Sequence, residues 1–139
     1  MSIGKQIRKY RNLRNLFQKD IANKIGSSDS AVRNYELGNR IPSQDQINDI
    51  AAALNINPAA LTAPDFDTID SIMHALFALE ESNHIQLLEI NGSNYLTFDD
   101  SSSKELSQCI AKWFEKYEAY QKGLISEAEY IEWKAMFPS

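Results

Sequence analysis

The sequence predicts a mainly α-helical fold in two parts: short helices over residues 1–63, then a helix, a β-hairpin and two more helices over residues 64–139. Three features carry this expectation. Apolar residues recur at three- and four-residue steps along much of the chain, the period of a helix with one buried face. Residues 18–38, QKDIANKIGSSDSAVRNYELG, read as two short helices across a tight turn at Gly26. Asn91-Gly92 lies between two strand-like runs, the strongest short-range hairpin signal a sequence offers.

In chain order, the second of the two short helices opens at Ser28, where an N-cap belongs. From Asp29 onward its residues separate at helical pitch, with Asp29, Ser30, Arg33 and Asn34 on one side and Ala31, Val32, Tyr35 and the stem of Glu36 on the other. Asn57-Pro58 gives a cap followed by a proline at the first position of a short fifth helix. The stretch TAPDFD, Thr62 to Asp67, carries a proline and two acids between periodic segments and marks the boundary between the parts. Ile69, Ile72, Met73, Leu76 and Phe77 make Asp67 to Glu81 an amphipathic helix. A hairpin over Ile85 to Phe98 puts Ile85 opposite Phe98 and Leu87 opposite Leu96 on one face, with Leu88 opposite Tyr95 on the other. Ser102-x-x-Glu105 is a capping box opening a helix through Lys122, Gly123 breaks it, and Ser126-x-x-Glu129 opens a last helix through Met136. Leu106, Ile110, Trp113, Tyr117 and Tyr120 line the first of these, and Tyr130, Trp133 and Phe137 the second. At helical spacing in a small domain, such aromatic residues read as core.

Two short helices across a tight turn, the second with one arc to pack and one arc to present, form the layout of a helix-turn-helix DNA reader. The presented residue types suit base edges and phosphates. Asn pairs with adenine, Arg with guanine or a phosphate, and Ser with several bases. Asp29 either complements the helix dipole or accepts from a donor such as the cytosine amino group.

Over its first sixty or so residues the chain resembles the phage-repressor and Cro-like helix-turn-helix family, often called the Xre family. Ile3-Gly4, Ile7-Arg8 and Arg11 stand in family order on a first helix, and Gln18, Ile21-Ala22 and Ile25-Gly26 on a second. Tyr35-Glu36-x-Gly38 closes the recognition helix and Asn39-Arg40-Ile41-Pro42 follows as a loop, with Ile47, Ile50-Ala51, Leu54 and Leu61 on two more helices. The resemblance implies a five-helix lambda-repressor-like domain over residues 1–63. It implies phosphate contacts from Gln18, Asn39 and Arg40, and a structural salt bridge between Arg11 and Glu36. With the residues of the presented arc, the DNA-binding set is Gln18, Ser28, Asp29, Ser30, Arg33, Asn34, Asn39 and Arg40. Two positions depart from the family pattern. Asn15 stands where a glycine is common and tolerates the left-handed conformation. Phe17 replaces the usual Ser or Thr cap of the second helix, a loss of about 1 kcal/mol, and is expected to compensate by packing onto the C-terminal half. Gly123 to Pro138, after the segment Met73 to Glu81, resembles the short C-terminal extension of many Firmicute regulators of this type.

Charge agrees with this division. Residues 1–63 hold nine basic and five acidic side chains, a balance of +4, so the rest of this −5 chain carries −9. A half that attracts phosphate, followed by an acidic half that does not, suits a DNA reader with an accessory domain. A single cysteine, Cys109, excludes an internal disulfide framework and suits a reducing compartment. No apolar run of membrane-spanning length and no signal-peptide pattern is present, so the expected location is the cytoplasm of a bacterium or of a phage host. The sequence has no Gly-rich phosphate loop, HExxH or GxSxG, and its two histidines, His74 and His84, lack further soft ligands. No enzyme, metal or cofactor is expected.

The sequence therefore predicts a transcriptional regulator, a repressor that binds a double-stranded DNA operator as a homodimer. Residues 64–139 are expected to supply the dimer contact through the Asp67 to Glu81 helix, the hairpin edge, or both, so that residues 1–63 alone would be a folded monomer. The competing expectation is an antitoxin or mobile-element protein whose acidic C-terminal half binds a protein partner, with the helix-turn-helix used for autoregulation.

Overall fold

The computed structural model describes residues 2–64, 66–99 and 103–138. The chain divides into two compact units, Met1–Asp65 with Ile131–Ser139, and Phe66–Tyr130.

The N-terminal segment of the first unit holds α1 (Ile3–Leu13), α2 (Gln18–Ile25), α3 (Asp29–Leu37) and α4 (Gln44–Leu54). Local chemistry sets their ends. Ser2 caps α1, Ser28 caps α3 by accepting from Ala31 N at 3.2 Å, and Ser43 with Gln46 forms a reciprocal box at the start of α4. Gly26 ends α2 in the left-handed region at φ 66°, and Asn15 adopts the same region at φ 56° between α1 and α2. The fifth helix of the sequence reading is a single 3-10 turn, Pro58–Ala60, capped by Asn57 Oδ1 at 2.9 Å from Ala59 N. Ile7, Ile21, Val32, Tyr35, Ile50, Leu54 and Leu61 are fully buried and form the core that these helices share. Helices α1 and α3 approach so closely that a Cβ on Gly4 would lie 2.3 Å from the Tyr35 carbonyl oxygen, which only glycine permits.

Phe17 does not pack as the sequence led us to expect. Its ring is 75% exposed. Compensation for the lost cap comes from Asp20, whose carboxylate accepts from Phe17 N at 2.7 Å and sits in the first turn of α2, where a negative charge is favoured.

The last nine residues belong to the first unit, although the sequence reading puts all of residues 64–139 in the accessory part. Ala135 is fully buried in the helical core. Asn57 donates from its backbone N to Ala135 O at 2.9 Å and from Nδ2 to Phe137 O at 2.8 Å, closing the end of α7 (Glu127–Met136). Arg14 donates to Leu54 O at 2.8 Å and Asn55 O at 3.0 Å and forms an ion pair with Glu132. A chain cut after residue 63 would lose these contacts.

In the second unit, α5 (Ile69–Asn83) opens with a Thr68–Ser71 box and ends at His84, which takes the left-handed conformation. Strands β1 (Gln86–Ile90) and β2 (Ser93–Thr97) form an antiparallel ribbon around Asn91-Gly92, in the register read from the sequence with Leu87 opposite Leu96 and Leu88 opposite Tyr95. Helix α6 (Lys104–Gln121) is capped by Ser103 Oγ, one position later than the sequence box; Ser102 lies outside the described residues. Ser126 opens α7 by accepting from Glu129 N at 3.1 Å. Tyr130 is the anchor here: its hydroxyl accepts from Trp113 Nε1 at 2.7 Å and its ring stacks on Tyr120 at 5.0 Å. Along the α6 stripe, Leu106, Ile110 and Tyr120 are half-buried while Trp113 and Tyr117 are about half exposed, and neither α5 nor α6 has a fully buried residue.

Two stability measurements test this account. Phe17→Ser should raise stability by about 0.5–1 kcal/mol in denaturant unfolding, because it adds a cap and removes no packing. Gly4→Ala should lower it by about 2–3 kcal/mol, because α1 and α3 must separate.

Candidate nucleic-acid interface

Helix α3 presents and packs on opposite arcs. Ala31, Val32 and Tyr35 are buried in the core, while Asp29, Ser30 and Arg33 are exposed and Asn34 is half-buried at the edge. The reason is local: the apolar residues fall at helical pitch on one arc, and the Ser28 cap fixes where the helix begins. Ser28 is exposed, and its oxygen is committed to Ala31 N while its hydroxyl proton remains a donor.

The loop that follows is tied to the same helix. Gly38 ends α3 in the left-handed region, and the Asn34 carbonyl accepts from Asn39 N at 3.0 Å and Arg40 N at 3.3 Å. Asn39 Nδ2 also donates to Asn34 Oδ1 at 3.4 Å. The Arg40 guanidinium lies 5.6 Å from the centroid of the Tyr35 ring, a cation–π arrangement that holds an exposed charge beside α3. Asn34, Asn39 and Arg40 are thus one connected group.

Glu36 fixes α3 against α1 and α2. Its side chain is 3% exposed and accepts from Arg11 Nε at 2.5 Å, Arg11 Nη2 at 3.1 Å and Gln18 Nε2 at 2.9 Å. Arg11 also donates to Leu16 O at 2.8 Å, so one guanidinium joins α3 to the turn before α2. The hydrogen bond to Glu36 holds the Arg11 guanidinium above its usual pKa, outweighing the opposing effect of burial, and the Coulombic attraction adds to it. Gln18 is therefore oriented from inside the protein through one amide N–H, and its second N–H and carbonyl oxygen remain to meet a ligand.

The charge of the region is smaller than a residue count suggests. Arg11 and Arg14 are both engaged internally, and Glu132 and Lys134 cancel in the returning segment. With Asp65 included, the first unit carries +3 and the second −8. Arg14 shows what counting missed. Its partner is 118 positions away, and no local pattern signals the pair.

A family model described as Helix-turn-helix matches residues 7–61. Over 62 residues the chain is 39% identical to the uncharacterized HTH-type transcriptional regulator YazB of Bacillus subtilis, a match that covers 45% of this chain and 90% of that protein. The chain belongs to the helix-turn-helix family. Within it, Gln18 opens the second helix and Asp29–Leu37 is the third, an arrangement that supports a DNA-binding regulator of transcription. The chain is also 34% identical over 56 residues to Multiprotein-bridging factor 1 of Debaryomyces hansenii, covering 40% of this chain and 37% of that protein's length. Both similarities cover less than half of this chain. No helix among the described residues is long and apolar enough to cross a membrane.

The Glu36 cluster has a direct test. Glu36→Ala should cost about 3 kcal/mol in equilibrium unfolding, since it strands Arg11 and releases Gln18. In a double-mutant cycle with Arg11→Ala, most of that loss should be shared between the two residues, which shows as a coupling energy.

Proposed function

We propose that this helix-turn-helix regulator is a sequence-specific repressor that reads two half-sites as a homodimer. The observation that carries the proposal is the division of α3 into a buried arc and an exposed arc, with Asn34, Asn39 and Arg40 linked at its edge. In this reading α3 enters the major groove. Ser30, Arg33 and Asn34 meet base edges, Ser28 and Asp29 lie at the helix entry, and Gln18, Asn39 and Arg40 hold the phosphates that set register. One such helix offers few base contacts, so useful affinity requires a second copy with its recognition helix about one duplex turn, roughly 34 Å, away. In this reading, repression comes from excluding other proteins from the DNA that the dimer covers.

The −8 charge of the second unit and its exposed apolar side chains support a second reading, in which that unit grips another protein and DNA binding serves autoregulation. Co-purification of one protein in fixed ratio, lost when the second unit's surface is altered, would favour this reading.

Selection of bound duplexes from a random library with the full chain tests the proposal. A two-fold motif with half-sites one turn apart is the expected result, and the absence of any enriched motif from folded protein would overturn it. Individual residues should then separate by role. Asn34→Ala should relax preference at one base position by about 1–3 kcal/mol, read from binding to single-substituted sites. Arg40→Ala should weaken all sequences alike and reduce the slope of log affinity against log salt by about 1.

A further inference from the structure

The accessory unit carries more open apolar surface than a self-sufficient domain. Fourteen large apolar side chains between Phe66 and Leu124 are 37–75% exposed. They are spread over α5 and the residues before it, both faces of the ribbon, α6 and the turn after it, and three of them, Leu88, Ile90 and Tyr95, share one face of the ribbon. The question is which surface is covered, and by what.

Charge answers it. The unit is −8, but the residues Gln86–Thr97 include one charged side chain, Glu89. The register places Glu89 with Asn94, Leu87 and Leu96 on one face of the ribbon, next to an apolar groove lined by Met73, Leu76 and Phe77 of α5. The opposite face presents Leu88, Ile90 and Tyr95, at 46%, 49% and 50% exposure, among the uncharged Gln86, Ser93 and Thr97. A basic partner would need carboxylates on the surface that it meets, and this face has none. Two copies of a strongly acidic unit meet at least cost where neither bears charge.

We infer that the charge-free face of the hairpin is the dimer contact, packing on the same face of a second copy. This rests on the homodimeric reading above and gives it a surface. Leu88 and Tyr95 are the central pair of the five-pair register, so a two-fold axis through the ribbon centre brings these side chains from both copies together. Sheets packed in this way lie about 10 Å apart, the spacing that interleaved Leu and Tyr side chains fill.

The experiment is sedimentation of the full chain and of Leu88→Lys and Leu88→Glu variants, with binding to one-half-site and two-half-site duplexes measured in parallel. The wild-type chain should be dimeric. Each variant should self-associate at least ~30-fold more weakly while keeping its helical circular dichroism and half-site affinity, and an equimolar mixture of the two should restore dimers. Loss of the two-half-site advantage should accompany dissociation. Variants that remain tight dimers would overturn the hairpin assignment and leave the dimeric regulator intact. A wild-type monomer would overturn the inference, as would a chain that forms only a complex with a foreign protein; a symmetric selected motif would then still support the DNA-reading proposal. Should the charged variants unfold, Tyr95→Ser decides: a loosened dimer supports the contact, and an unchanged one overturns it.

Discussion

A carboxylate taken out of water must be met by donors, and Glu36 meets that requirement with groups from two other elements. Arg11 comes from α1 and Gln18 from the first turn of α2, so satisfying one buried charge sets three helices at once. The close approach at Gly4 brings α1 against α3 and makes this geometry reachable. The exposed arc of α3 has its direction because the opposite side of the helix is held by the core and this cluster together.

The same economy governs the basic residues. Arg11 holds the reading motif together, and Arg14 ties the end of α4 to the returning C-terminal segment. Both guanidinium groups are engaged internally, which leaves Arg33 and Arg40 as the arginines on or beside α3. Arg40 is placed by its approach to the Tyr35 ring, a core residue, so a mobile-looking loop inherits the order of the core. The two units then differ in electrostatic character: the first attracts polyanions weakly, and the second repels them. Specific contacts must supply what the modest charge does not.

Much of the architecture was legible because it rests on interactions within a few residues. The Ser28 cap, the Gly26 turn, the arcs of α3, the Asn91-Gly92 hairpin and its register follow from helical pitch, strand alternation and single-residue conformational preference. The misreadings have equally physical causes. Phe17 is expected to offset its lost cap by packing, yet it is exposed; Asp20 reaches back to Phe17 N, while the first N–H groups of α2 have no side-chain cap. The α6 aromatic stripe has core spacing, and spacing alone does not say whether a second surface lies opposite it. Ser103 took the capping position beside Ser102 because adjacent serines offer the same chemistry.

The sequence by itself determined the helix-turn-helix, the residues that face outward from its second helix, and the order of elements after it. Each of these is encoded by neighbours three or four positions apart. Tertiary structure alone decided that the final residues return to the first unit, through Arg14 with Glu132 and Asn57 with Ala135 and Phe137. It also decided that Gln18 is held from within by Glu36, and that the accessory helices keep their apolar faces open. Pairs separated by dozens of residues leave no periodic trace. Burial is a property of the surface that arrives opposite a side chain, which no single segment encodes.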